Sequence, residues 1–250
     1  MSTWPPHVVR SVGAELLSAC VALFAGCGGG GNGNASNASM ISISGTAATG
    51  KALANAAISI DCTRGSISVA ADANGNYHAT FSAELPCIIA ATSGVTTLHS
   101  AAFAGGTYNI TPETDLLLTY LAAQLGTNES ALIIGFAVNT RFQQTLENQT
   151  DVLTAQAAVV QNLQQRYGVT LSTPNFLTST FTVGQSGVDS DLEALLARGA
   201  IDVNGEPDRV AVTLMATAGA ANPIATSPGT GTSGTGGTGL GGTGGMGGMM

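Results

Sequence analysis

Residues 58–81 have the sequence ISIDCTRGSISVAADANGNYHATF, and this stretch decides the fold prediction. Apolar and polar residues alternate over residues 58–62, and the same period of two returns from Tyr77 onward. Strict alternation is typical of strands that bury one face. Between them, residues 72–76 have the composition of a tight turn, because Asn and Gly tolerate positive φ. The stretch therefore predicts short antiparallel strands joined by tight turns.

The alternation extends outward in both directions and predicts about six strands over residues 40–106. Together they indicate a small antiparallel β-sandwich. Three segments resemble the carboxypeptidase regulatory-like family, whose members are small transthyretin-like sandwiches: residues 43–46, residues 52–60 and above all DANGNY at 72–77, which matches the family's D-x-x-G-x-Y/F turn. The resemblance covers about a quarter of the chain. It implies a domain of the carbohydrate-binding or enzyme-docking type.

Cys62 and Cys87 are predicted to form a disulfide. Cys62 shares the parity of Ile58 and Ile60, so it points into the predicted core, where Cys87 can meet it. A metal-binding or redox pair is the alternative, although the CxxC spacing typical of such sites is missing. A calcium site at Asp72 and Asn74 is a further alternative, but the rest of an EF-hand loop does not follow.

The N-terminus predicts the location of the protein. Residues 12–24 are largely apolar, and a helix of that length is too short to cross a bilayer. They end in LFAGC at 23–27, which resembles the lipobox of bacterial lipoproteins. The resemblance implies a signal peptide over residues 1–26 and a lipid on Cys27. An ordinary cleaved signal is the alternative. No acidic residue follows Cys27 directly, which in that family favours the outer membrane of the cell envelope.

Composition limits the function classes. Seven basic residues face fifteen acidic ones, giving a net charge of −8, which counts against nucleic-acid binding because phosphate contacts need clustered Lys and Arg. Only 9% of residues are charged and only three are histidines, which leaves few groups for acid–base chemistry. Accordingly, the sequence predicts no cofactor.

After residue 106 the apolar period becomes 3.6 and predicts a helical module over residues 107–218. Thr111-Pro112-Glu113 predicts a helix start, and Asn128 predicts the next one, a single helix that continues to about Glu147. Residues 109–115 also resemble a segment of uncharacterised proteobacterial lipoproteins to which no chemistry is attached. The remaining predictions are a third helix at 151–167, a fourth helix capped by Ser190, a closing β-hairpin of residues 200–203 and 210–214, a flexible tether at 27–39 and a disordered Gly-rich tail at 219–250.

The side chains that could carry chemistry all have simpler explanations. His78 and His99 are predicted to be solvated surface residues. Glu113 and Asp115, like the acids at 189, 191 and 193, are explained by the preference of helix N-termini for negative charge. Gly184-Gln-Ser186-Gly187 is one residue shorter than a hydrolase nucleophile elbow. The sequence therefore predicts no catalytic residue and no metal ligand.

These observations predict an α+β, non-enzymatic envelope lipoprotein that acts as a binding or structural module. Its expected partners are the membrane, through the lipid, and an envelope protein or glycan. The alternative is a lipid- or carbohydrate-binding protein, or a hydrolase, with a pocket between helices and sheet near Leu117, Leu121 and Phe136. A pocket of several hundred cubic ångströms with convergent polar groups would favour the alternative.

Overall fold

The computed structural model describes residues 38–224, in which six strands precede six helices. The predicted α+β class is confirmed. The predicted signal peptide, Cys27 and residues 225–250 of the predicted tail lie outside the described residues. The predicted start of the tail at residue 219 is too early, because the last helix continues through Ala220.

One long strand holds the sheet together. The strands are β1 (Ser39–Thr46), β2 (Ala57–Arg64), β3 (Ser66–Ala70), β4 (Asn76–Ser93), β5 (Thr96–Ala102) and β6 (Gly106–Thr107). The first half of β4 pairs with β1, and its second half lies between β2 and β5. β3 pairs with the other edge of β2, and β6 pairs with β1 in parallel, which departs from the antiparallel pattern that was expected.

The alternation of β2 and β4 is confirmed. Ile58, Ile60 and Cys62 are buried on one face of β2, and His78 on β4 is exposed between buried neighbours. Cys62 lies directly opposite Cys87 in the β2–β4 register, and the two sulfurs are bonded. The predicted disulfide is therefore present and joins the core faces of neighbouring strands.

The turn at 72–76 has the predicted chemistry. The Asp72 carboxylate accepts hydrogen bonds from the backbone N–H groups of Asn74 and Asn76 at 2.8 and 2.9 Å. Gly75 has φ +81°, and a Cβ there would lie 2.4 Å from the Ala47 carbonyl oxygen, so the turn requires glycine. Tyr77 follows into the core and is 3% exposed.

The helices follow the strands in the chain, and the first and third of them contact β5. They are α1 (Pro112–Gln124), α2 (Glu129–Gly135), α3 (Thr140–Glu147), α4 (Gln149–Tyr167), α5 (Val188–Ala197) and α6 (Arg209–Ala220), with a 3-10 turn at Phe136–Val138. The predicted start of α1 is confirmed, because the Thr111 hydroxyl accepts from the Thr114 N–H while the Thr114 hydroxyl accepts from the Thr111 N–H. α1 is buried on nearly every side and packs against β5 and α6.

Two helix predictions need correction. The single helix expected from Glu129 to Glu147 is interrupted at Gly135, and a new helix starts after Asn139, whose side chain caps it by accepting from the Phe142 N–H. α5 begins at Val188, before the predicted cap, and the Ser190 hydroxyl instead accepts from the Gly187 N–H at 3.0 Å inside the first turn.

The predicted closing hairpin is wrong, although its central turn at Asn204-Gly205 is present. Only an isolated bridge joins Ile201 and Pro207, and residues 210–214 belong to α6. The apolar pattern of residues 210–214 is too short to distinguish a strand from a helix. Capping by Asp208 and burial of Ala211, Met215 and Gly219, spaced by four, select the helix.

Candidate functional site

A run of polar residues is buried where the chain passes from the sheet into α1. Asn109, Thr111, Glu113 and Thr114 are each 0% exposed. Burying a polar group costs free energy unless it is hydrogen-bonded, so each of these side chains needs a partner inside the protein. Thr111 bonds to Thr114 and Glu113 within the segment, whereas Asn109 and Thr114 also have partners far away in sequence. This connecting segment is therefore where sheet and helices are joined.

Asn109 joins three parts of the chain. Its side-chain oxygen accepts from the Thr46 N–H at 3.3 Å, and its amide group donates to the carbonyls of Phe176 and Ser179 at 2.8 and 2.7 Å. Its own N–H donates to the Leu177 carbonyl at 2.8 Å. One buried amide thereby holds the end of β1 against the loop that precedes α5.

A histidine and two carboxylates converge beside this segment. His99 lies on β5, Asp115 in the first turn of α1, and Glu129 at the start of α2. The His99 Nδ1 atom lies 3.0 Å from Asp115 Oδ1 and 3.5 Å from Glu129 Oε1. The side chains are 21%, 13% and 18% exposed, so the cluster lies just below the surface. Three elements of the fold thus each contribute one ionisable group.

The surroundings of these groups hold them in place. The His99 backbone N–H also donates to Asp115 Oδ1, at 2.8 Å, and the His99 carbonyl accepts from the Thr114 hydroxyl. The Thr119 hydroxyl donates to Glu129 Oε2 at 2.6 Å. Burial by itself lowers the pKa of His99, but the two carboxylates outweigh it and raise that pKa to about 9. The imidazole site therefore favours a positive charge.

This arrangement corrects two predictions. His99 is not a solvated surface residue, since its ring lies between two carboxylates. Asp115 does sit at a helix N-terminus, but it points to His99 and the edge of β5, so the helix dipole explains only part of its presence. Glu129 was not singled out in the sequence, because an acidic residue in the first turn of a helix is common.

A second pair of acidic residues, Glu113 of α1 and Asp191 of α5, lies near the α1 start. Glu113 is fully buried, and burial together with the charge of Asp191 raises its pKa well above the ordinary value. Asp191 accepts three hydrogen bonds of 2.9 Å, from the backbone of Ser172 and Thr173 and from the Ser172 hydroxyl. Asp191 therefore fastens the loop before α5 to that helix, while burial is the main cause of the raised pKa of Glu113.

The other candidates of the sequence stay apart from these clusters. His78 is exposed on β4 as predicted, and Ser186 is exposed in the turn before α5. Asp189 is buried and accepts from the Gly184 N–H at 2.7 Å, so it fastens the loop that leads into α5. Glu193 is exposed on α5. None of the four contacts the His99 cluster within the described part of the chain.

A cleft of about 460 Å³ lies between the β5–β6 connection and α4. Its walls are Phe103 and residues 104–108 on one side, and Gln149 and Leu153 of α4 with Asn175 and Thr178 on the other. Every side chain in this lining is uncharged. The predicted pocket position near Leu117, Leu121 and Phe136 was wrong, since all three are core residues exposed by 2% or less.

The comparisons with known proteins have a simple outcome. No family model, curated protein or solved structure matches the chain. The resemblance to the carboxypeptidase regulatory-like family therefore stays a prediction. None of the helices in residues 38–224 combines the length and the apolar character needed to span a bilayer. α1 and residues 129–138 reach that length and character only as a pair, which is bent by 85° at the junction.

Proposed function

We propose that this protein is a non-enzymatic binding protein of the bacterial cell envelope, anchored by a lipid on Cys27, and that its cleft holds a neutral sugar chain. The observation that carries the proposal is the chemistry of the cleft. Gln149, Asn175, Thr107 and Thr178 offer amides and hydroxyls, which both donate and accept hydrogen bonds as sugar hydroxyls do. With no charge in the lining, a neutral ligand is favoured over an ionised one.

The walls of the cleft are held in position before any ligand arrives. The Phe103 ring meets Tyr108 edge to face at 5.4 Å, and the Tyr108 hydroxyl accepts from the Ala104 N–H at 3.0 Å. On the other side, the side-chain oxygen of Asn175 accepts from Gln156 at 3.4 Å. A rigid wall reduces the entropy cost of binding, and the apolar face of a sugar ring can stack on an aromatic ring such as Phe103.

The disulfide supports the location in the envelope. Disulfides persist in oxidising compartments and are rare in the cytosol. Cys62 and Cys87 are both buried and bonded, which fits a chain that folds after export. The apolar segment at 12–24 and the LFAGC sequence at 23–27 supply the export and anchoring signals in the proposal.

Replacing Cys27 should abolish the lipid anchor. The thiol of Cys27 is the only group of the LFAGC segment that can accept the lipid, so Cys27→Ser should lose labelling by a palmitate analogue and leave the membrane fraction. Cys20→Ser is the matched control, because it changes the other cysteine of the N-terminal segment and should label like the wild type. Equal labelling of the Cys27→Ser protein would remove the anchor from the proposal.

The sugar-binding cleft is tested by affinity. The chain lacking residues 1–27 should bind a neutral glucose or N-acetylglucosamine hexasaccharide, but not a hexasaccharide of uronic acids, because the lining provides no positive charge and the protein is acidic. Phe103→Ala and Gln149→Ala should each weaken binding about tenfold in isothermal titration calorimetry, which corresponds to roughly 1.4 kcal/mol.

The control for these variants is Gln165→Ala. Gln165 is an exposed glutamine on the same helix as Gln149 but lies outside the cleft, so its replacement should leave binding unchanged. If Gln165→Ala weakens binding as much as Gln149→Ala does, the ligand does not occupy this cleft. If only the uronic acid binds, the charge argument is wrong.

A further inference from the structure

We infer that His99, Asp115 and Glu129 form a binding site for one divalent transition-metal ion, for which Zn²⁺ is the probe. The site lies at the junction of β5, α1 and α2. It is separate from the cleft, so the inference does not depend on the proposed function.

The distances between the donor atoms fit a metal centre. Zinc binds His nitrogen and carboxylate oxygen at about 2.0–2.2 Å, which places neighbouring donors about 3.0–3.5 Å apart. The His99 Nδ1 atom lies 3.0 Å from Asp115 Oδ1 and 3.5 Å from Glu129 Oε1. All three ligand atoms lie within 4.8 Å of one another.

The residue types of the cluster also suit an ion. Two carboxylate ligands supply the two negative charges that balance a divalent ion, and the imidazole supplies a neutral nitrogen donor. The metal would lie on the side of the ring where Nδ1 faces Asp115 Oδ1 and Glu129 Oε1.

One ligand atom lacks a satisfactory partner in the protein. Glu129 Oε1 is buried, and no residue in 38–224 provides it with a hydrogen bond. Its separation of 3.5 Å from Nδ1 is too long for a good N–H···O bond. By contrast, Glu129 Oε2 accepts from Thr119, and Asp115 Oδ1 accepts from the His99 N–H. Such outer hydrogen bonds orient the ligands of metal centres.

The ligand types indicate the class of metal. One imidazole with two carboxylates suits Zn²⁺, Co²⁺ or Mn²⁺, whereas Ca²⁺ prefers six to eight oxygen ligands. Three protein ligands leave a coordination position free for water or another small ligand. Because the three side chains are partly exposed, an ion can reach the site from solution.

The test is a metal titration of the chain lacking residues 1–27, made without a histidine tag and treated with a chelator. Calorimetry should show one Zn²⁺ bound per chain, with at least tenfold weaker binding of Ca²⁺. In the wild-type protein, long-range ¹H–¹⁵N NMR spectra should show that Zn²⁺ shifts the Nδ1 signal of His99 and leaves the exposed His78 unchanged. This readout requires no mutation.

Variants provide the second readout. His99→Gln and Glu129→Gln should each weaken Zn²⁺ binding at least tenfold, whereas the matched controls His78→Gln and Glu193→Gln, at exposed positions, should not. Circular dichroism in chelator checks that each variant is folded. The inference is overturned if the wild-type protein binds no stoichiometric Zn²⁺, if His78 is the histidine that shifts, or if folded Glu129→Gln binds Zn²⁺ as the wild type does.

Discussion

Removal of the Cys62–Cys87 disulfide should lower the free energy of unfolding by about 3–4 kcal/mol. The two residues are 25 positions apart, and closing a loop of that length restricts the unfolded chain by this amount in the chain-entropy model. For a folded region of this size, the double variant Cys62→Ala/Cys87→Ala should melt roughly 10 °C below the wild type. Thermal unfolding followed by circular dichroism measures the difference.

Reduction of the wild-type protein is the control for that variant. With excess dithiothreitol, the wild type should lose most of the same stability, whereas the double variant should be insensitive to the reductant. Two free thiols at Cys62 and Cys87 in the protein isolated from cells would contradict both the pairing and the folding environment that we propose.

Asn109→Ala should destabilise the protein by about 3–5 kcal/mol. The change removes the partner of the Thr46 N–H and of the carbonyls of Phe176 and Ser179, all in the buried segment that joins sheet and helices. A buried group left without its hydrogen bond costs about 1–3 kcal/mol, and water cannot easily replace an amide that is 0% exposed. Chemical denaturation gives the free energy directly.

Asn128→Ala is the matched comparison. Asn128 also accepts a hydrogen bond from a backbone N–H, that of Ala131, but at an exposed helix start. Loss of such a cap costs about 1 kcal/mol. A cost for Asn109→Ala no greater than that for Asn128→Ala would mean that Asn109 does not hold the sheet and helices together.

The strands and most helix starts could be predicted because local residues determine them. The parity of Ile58, Ile60 and Cys62 fixed which face of β2 is buried, and the Thr111–Thr114 cap lies within one turn of helix. Alternation without a capping signal was less informative. Residues 210–214 satisfied the strand pattern, but α6 forms because Met215 and Gly219 extend a helical stripe that packs on α1.

The His99 cluster could not be predicted from local patterns. Asp115 and Glu129 lie 16 and 30 positions after His99 in the sequence, and the three residues belong to three different elements. Their proximity therefore depends on how α1 and α2 pack near β5. One signal was available: Glu113 and Asp115 lie in the first turn of an otherwise Leu-rich helix that is buried, where acids must find partners. The cleft gave no signal, because Phe103, Gln149 and Asn175 are unremarkable in sequence and meet only in the fold.

The most direct test of the proposed function is to map the binding site by NMR. In a titration of the ¹⁵N-labelled chain lacking residues 1–27 with the neutral hexasaccharide, the perturbed amides should cluster at residues 103–107, at Gln149 and Leu153, and at Asn175 and Thr178. The apolar groove of Val210 and Leu214 between α4 and α6 should remain unperturbed. Perturbations confined to that groove, or no saturable shift with any neutral sugar, would contradict the proposal that this protein binds glycans in its cleft.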